Sequence, residues 1–125
     1  MAGFTGRELD TIGAADEVQI SSRRFNGTLR PFVTIWAVRE GGDIYVRSAN
    51  GATTGWFGRA VAKGQGSIRA AGVERRVRFE RAIDQPTQER IDAAYHLKYD
   101  RYGAGMVGTV VGPGVWGVTL RVLPD

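Results

Sequence analysis

Cysteine is absent from this 125-residue chain, and histidine occurs once, as His96. Without thiols there is no disulfide framework and no thiolate nucleophile. With a single histidine, neither a Cys–His pair nor a His-rich metal cluster can be assembled, so no metal site is expected. Long hydrophobic runs are missing too. No segment approaches the roughly 20 consecutive apolar residues that cross a bilayer. Met1-Ala2-Gly3-Phe4-Thr5-Gly6-Arg7 has no apolar leader core, and the expectation is a protein that stays off the membrane, in the cytoplasm. Nucleotide and nucleophile motifs are equally scarce. There is no Walker-type loop and no Gly-x-Gly-x-x-Gly opening a βαβ unit. Neither Ser48 nor Ser67 sits in a Gly-x-Ser-x-Gly elbow. His96, mid-helix between Tyr95 and Leu97, reads as structural.

What is abundant is glycine: 18 residues, about twice the usual share of roughly 7%. The glycines punctuate apolar runs, which points to many tight turns and a β-rich fold. Hydrophobic residues make up 42% and charged residues 24%, the balance of a soluble globular chain. Its length suits one domain spanning 1–125 with a single core. The net charge of +4 invites a nucleic-acid reading. The densest basic group, Arg75-Arg76-x-Arg78-x-x-Arg81, is however interleaved with Glu74 and Glu80. On a strand those charges partly neutralise one another, so nucleic acid is disfavoured as a partner. A small phosphorylated ligand fits the field better.

Taken in order, Thr5 and Glu8 have capping-box spacing, and Leu9 and Ile12 continue a helix from about Gly6 to Ala15. Glu17–Arg24 alternates as a half-buried strand, and Asn26-Gly27 is a preferred two-residue turn with positive φ. Phe32–Arg39 is apolar on both faces and reads as one central strand, covered by barrel interior on one side and by a helix or partner on the other. Gly41-Gly42 turns it into Asp43–Ser48. Thr53 or Thr54 is placed to cap a short helix to about Lys63, which Gly64 stops. Ser67–Ala71 and Val73–Arg81 form a second antiparallel pair. The longest helix opens at Asp84 or Thr87 and runs to about Tyr102, with Ile91, Ala94, Tyr95, Lys98, Tyr99 and Tyr102 at helical spacing on one broad face. Trp116–Leu123 closes the fold as a sixth strand. The fold class that fits is mostly β, a six-stranded antiparallel barrel with two or three peripheral helices, because closure removes exposed edges.

One stretch has the makings of a binding site. Ser48, Asn50, Thr53, Thr54 and the backbone at Gly51 and Gly55 precede a helix start, where N–H groups and the dipole favour an anion. Arg59 lies one turn into that helix, and Arg30 and Arg47 can add bidentate contacts to a phosphate. Two readings stay open: an anion site, or a loop that turns the chain while Thr54 caps the helix. Trp36 reads as core, and Trp56 is open between core and ligand contact. Lys98-Tyr99-Asp100-Arg101-Tyr102 is a second polar-aromatic cluster, suited to a subunit contact, a ligand contact or a solvated helix end.

Several motifs carry a family resemblance across nearly the whole chain. They are Gly27-Thr28-Leu29-Arg30-Pro31 with Ile35-Trp36; Asp43 with Tyr45-Val46-Arg47-Ser48; Trp56 with Arg59-Ala60; Ala71-Gly72-Val73-Glu74-Arg75; and Ala93-Ala94-Tyr95 with Lys98-Tyr99, Arg101, Tyr102 and Gly103. This pattern resembles an uncharacterised bacterial group, domain of unknown function 2255. That group is similar to the flavin- and deazaflavin-binding split β-barrels, which include pyridoxamine-phosphate oxidases and deazaflavin-dependent nitroreductases. The resemblance implies an FMN-binding-like split barrel, a homodimer with cofactor between subunits, and FMN or a deazaflavin of the F420 type as cofactor. Ser48, Asn50, Thr54 and Arg59 would hold the phosphate, Arg30 and Arg47 would supply charge, and Trp56 would pack against the cofactor. Arg59 stands where the deazaflavin relatives carry asparagine. Hydride chemistry would then belong to the cofactor, which accounts for the missing acid–base dyad. The competing expectation is a cofactor-free module that binds another anionic metabolite or a protein partner.

Overall fold

The computed structural model of the protein describes residues 3–82 and 84–125. Met1 and Ala2, the start of the stretch read above for leader character, lie outside them. Helix α1 (Gly6–Ala14) begins with a complete capping box: Thr5 Oγ1 accepts from Glu8 N–H at 3.1 Å, and Glu8 Oε1 accepts from Thr5 N–H at 2.9 Å. This satisfies two of the donors that a helix start leaves unpaired. Strand β1 (Val18–Ser22) follows, then β2 (Val33–Ile35), β3 (Ala37–Glu40) and β4 (Asp43–Arg47). Helix α2 (Trp56–Lys63), strands β5 (Gln65–Ala70) and β6 (Val73–Arg81), helix α3 (Gln85–Tyr99), the short helix α4 (Ala104–Val107) and strand β7 (Thr119–Pro124) complete the chain.

All seven strands join one sheet in the order β2-β1-β5-β6-β7-β4-β3, with every pairing antiparallel. The two edge strands, β2 and β3, are separated in sequence only by Trp36. One residue cannot bridge a flat sheet of seven strands spaced about 4.8 Å apart. The sheet therefore curls until its edges nearly meet, and the result is a nearly closed barrel. The expected count of six strands becomes seven because Phe32–Arg39 is not one central strand. The chain bends at Trp36 and leaves one edge of the sheet for the other. The two-sided apolar pattern is explained by the covers on β3. Ala37 faces the barrel core with Ile20, Ile44, Ile68 and Leu120, and Val38 faces a second cluster with Ile91, Tyr95 and Tyr99 of α3.

Four further expectations are corrected. Trp116 lies in a 3₁₀ turn (Pro113–Val118), and β7 starts only at Thr119. Helix α3, capped by Asp84 through Thr87 N–H at 2.8 Å, ends at Tyr99 and passes into a 3₁₀ turn to Tyr102. Neither Thr53 nor Thr54 caps α2; its N-cap is Gly55 at φ +67°, with no side-chain bond. At Asn26-Gly27 only Gly27 has positive φ, +88°. Arg24 N–H donates to Thr28 O at 2.8 Å and Gly27 N–H to Arg24 O at 2.9 Å, a three-residue hairpin loop that lifts Phe25 to its tip.

Close packing is tightest between β1 and β5. A Cβ added to Gly66 would stand 1.9 Å from Ser21 O and 2.9 Å from the Phe79 ring, so only glycine fits there.

Candidate functional site

The residues marked from sequence separate into three places. Arg47, at the end of β4, is buried with its side chain fully covered. Its Nε donates to Thr119 Oγ1 at 3.0 Å. One Nη donates to Asp92 Oδ1 at 2.5 Å and Val110 O at 2.9 Å, and the other to Gln88 O at 3.1 Å and Gln88 Oε1 at 2.8 Å. A guanidinium has five N–H donors, and all five have partners within the chain. Arg47 is thus the hub that ties β4 to α3 and to the segment before β7. It has no donor to offer a ligand.

Ser48 and Asn50 go with that segment. Ser48 is buried, and its N–H donates to Val118 O at 3.1 Å. Asn50, at φ +60°, donates from its N–H to Thr109 O at 2.8 Å. A Cβ at Gly51 would meet Gly114 O at 2.8 Å, so this loop lies flat against the approach to β7. Thr54 is exposed, and Trp56 is half-buried against the barrel core.

Arg30 and Arg59 meet in the third place. The β1–β2 hairpin contributes Arg23, Phe25 and Arg30, and α2 contributes Gly58, Arg59, Ala62 and Lys63, to a cleft of about 140 Å³. Residues 58, 59, 62 and 63 share one helix face by their three- and four-residue spacing. Four cations line the cleft and no carboxylate does. Arg23 Nη1 donates to Gly27 O at 2.6 Å, which fixes that side chain along the hairpin. Among the described residues, neither Arg30 nor Arg59 makes an ion pair. Arg30 Nε is buried without a hydrogen-bond partner. Burying a donor unpaired costs about 1–3 kcal/mol, and gathering like charges costs more. An anion in the cleft offsets both. Sequence reasoning missed Arg23, Phe25 and Lys63. The readable signals were the i, i+4 spacing of Arg59 and Lys63, and the hairpin turn that sets Arg23 near Arg30.

A larger open groove of about 420 Å³ carries Glu17, Glu74 and Arg69. Arg69 is already paired with Glu74 at 3.3 Å, so the mixed charge there gives no anion site.

The Lys98–Tyr102 cluster is an internal clasp on the barrel seam. Trp36 stacks on Tyr99 with centroids 4.0 Å apart and planes 5° from parallel. Tyr99 OH donates to Asp16 O at 2.7 Å and accepts from Ala37 N–H at 3.2 Å. Lys98 Nζ donates to Ala37 O at 2.7 Å, and burial pulls the lysine down to about 8. Arg101 and Tyr102 both bind the Asp16 carboxylate, and these hydrogen bonds, led by that from Tyr102, hold it below its ordinary value. His96 is exposed, with Nδ1 2.8 Å from Asp100 Oδ1.

The family model described as an uncharacterised protein conserved in bacteria, DUF2255, matches residues 8–122. The chain belongs to this family. No curated protein sequence matches it. Among solved structures, the DUF2255 chain is similar to a Mesorhizobium loti protein named an FAD-binding protein, with 15% identity, a TM-score of 0.62, and 99% and 92% of the two chains covered. It is similar to a Listeria innocua protein described as a candidate pyridoxamine 5'-phosphate oxidase, with 11% identity, a TM-score of 0.65, and 95% and 91% covered. A third likeness is to an F420 reductase, with 13% identity, a TM-score of 0.58, and 93% and 90% covered. At these identities the likeness establishes the fold, the split β-barrel. No described helix is long and apolar enough to cross a membrane.

Proposed function

We propose that this DUF2255 protein binds a phosphorylated flavin-type cofactor, FMN or a deazaflavin, and holds its phosphate in the basic cleft between the β1–β2 hairpin and α2. The observation that carries the reading is the convergence of Arg23, Arg30, Arg59 and Lys63 on a cleft without a carboxylate, with Arg30 Nε buried and unpartnered. Arg30 and Arg59 bring two guanidinium groups to the cleft, Arg23 is pre-set by its bond to Gly27 O, and Lys63 adds a point charge from the next turn of α2. Bidentate guanidinium contacts suit a phosphate dianion. Of the residues marked from sequence, Thr54 and Trp56 remain on the approach to this helix, and Ser48 and Asn50 belong to the neighbouring loop.

The neighbours named for FAD, F420 and pyridoxamine 5'-phosphate support this class of ligand. Once bound, the cofactor would supply hydride chemistry, and the protein would supply position and field. The cleft volume, about 140 Å³, is well below the 300–1,000 Å³ of a site that encloses a drug-sized ligand. It takes the phosphate and leaves the ring outside, which supports a homodimer in which a second chain covers the ring.

The test is a thermal-shift titration with orthophosphate, FMN and the deazaflavin cofactor, on wild type and Arg59→Ala. A true ligand at a hundredfold excess over Kd adds about 2.7 kcal/mol of stability. A shift with a cofactor that Arg59→Ala abolishes supports the reading. The absence of any shift leaves a cofactor-free module for another anion.

A further inference from the structure

We propose that Phe25 is a specificity-determining platform: a planar ring carried by the phosphorylated ligand stacks on it while the cleft holds the phosphate. The inference rests on the phosphate reading above and names which phosphate esters the site prefers.

Phe25 is 86% exposed, yet it lines the cleft together with Arg23, Arg30, Arg59 and Lys63. Single exposed apolar side chains need no explanation; a phenyl ring standing at the rim of a four-cation cleft does. The backbone that carries it is held in place. The hairpin loop is closed by the Arg24–Thr28 and Gly27–Arg24 backbone bonds, and Asn26 Oδ1 accepts from Thr28 N–H at 3.1 Å and Thr28 Oγ1 at 2.7 Å. Lys63 Nζ stands 6.0 Å from the ring centroid, so the ring is tied to the charged helix face by a cation–π contact. A cleft of about 140 Å³ has no room for a phosphate and a nucleobase or flavin ring together. The body of the ester must therefore leave the cleft beside Phe25. A planar body finds an aromatic surface to stack on there, and a ribose or glycerol body gains nothing from it.

The experiment compares Kd values for orthophosphate, ribose 5-phosphate, AMP and FMN on wild type, Phe25→Ala, Phe25→Leu and Phe25→Trp. Wild type is expected to bind AMP or FMN about tenfold or more tightly than ribose 5-phosphate, the scale of base–aromatic stacking. Phe25→Ala and Phe25→Leu should erase that ratio while keeping the orthophosphate and ribose 5-phosphate affinities, and Phe25→Trp should restore it. The proposal is overturned if the ratio is unchanged in Phe25→Ala, or if that variant loses orthophosphate as well. It is also overturned if sedimentation shows that Phe25→Ala dissociates a dimer, because the ring is then a subunit contact. If orthophosphate and ribose 5-phosphate bind and ring-bearing esters gain nothing, this inference fails while the phosphate reading stands. If none of the four ligands binds wild type, both fail.

Discussion

Replacing Arg47 with methionine separates a structural hub from a ligand contact. The substitution keeps an apolar stem of similar reach and removes a guanidinium whose five donors are all paired inside the chain. Asp92, Gln88, Thr119 and the Val110 carbonyl then lose their shared donor. Asp92 keeps Gly112 N–H at 3.1 Å and Trp116 Nε1 at 3.2 Å, so it is not wholly stranded. Removing one partner of a buried ion pair costs about 3–5 kcal/mol. For 125 residues, 1 kcal/mol moves the melting midpoint by about 4 °C. The expected loss is thus about 12–20 °C in a thermal melt, with the FMN affinity of the folded protein unchanged below its midpoint. A variant that melts within a few degrees of wild type but no longer binds phosphate esters would refute this assignment and return Arg47 to the site.

Three other outcomes follow from single contacts. Among the described residues no hydrogen-bond partner meets the fully buried Tyr95 OH, and burial pushes its phenol well above the ordinary value. Tyr95→Phe should therefore match or slightly exceed wild-type stability in urea, whereas Tyr99→Phe, which loses the bonds to Asp16 O and Ala37, should cost about 1–3 kcal/mol. Lys98, at about 8 when folded and 10.5 ordinarily, holds fewer protons folded than unfolded between those values. Stability should rise with pH across that window, and a urea-midpoint series should show Lys98→Met losing the rise. Gly66→Ala forces β1 and β5 apart and should cost about 3 kcal/mol or more, read in the same melts.

The sheet was largely legible because turn chemistry and alternation are local. Gly41-Gly42, Ala71-Gly72 and the capping box at Thr5 and Glu8 each carry their own signal, and each pairing is seen in the fold. The break at Trp36 was not legible, since it depends on Tyr99 and Lys98, more than sixty residues away, bracing that bend. The candidate site divided for the same reason. Arg30 and Arg59 lie far apart in sequence and share one cleft. Arg47 sits beside Ser48, with the look of an anion-loop residue, and turns the other way into the core. Local pattern names residue types suited to phosphate; only the tertiary path decides which of them still have free donors.

On the proposed reading the basic cleft holds a flavin-type phosphate. Calorimetric titration of FMN and, separately, of the deazaflavin cofactor into wild type and into an Arg30→Gln/Arg59→Gln double variant tests it directly, with no heat counted only when neither cofactor gives any, and with Arg69→Gln as a control for general charge. One site per chain is expected in wild type and in Arg69→Gln, with at least a hundredfold weaker binding in the double variant. Equal affinity in all three proteins, or no heat in wild type, would contradict it.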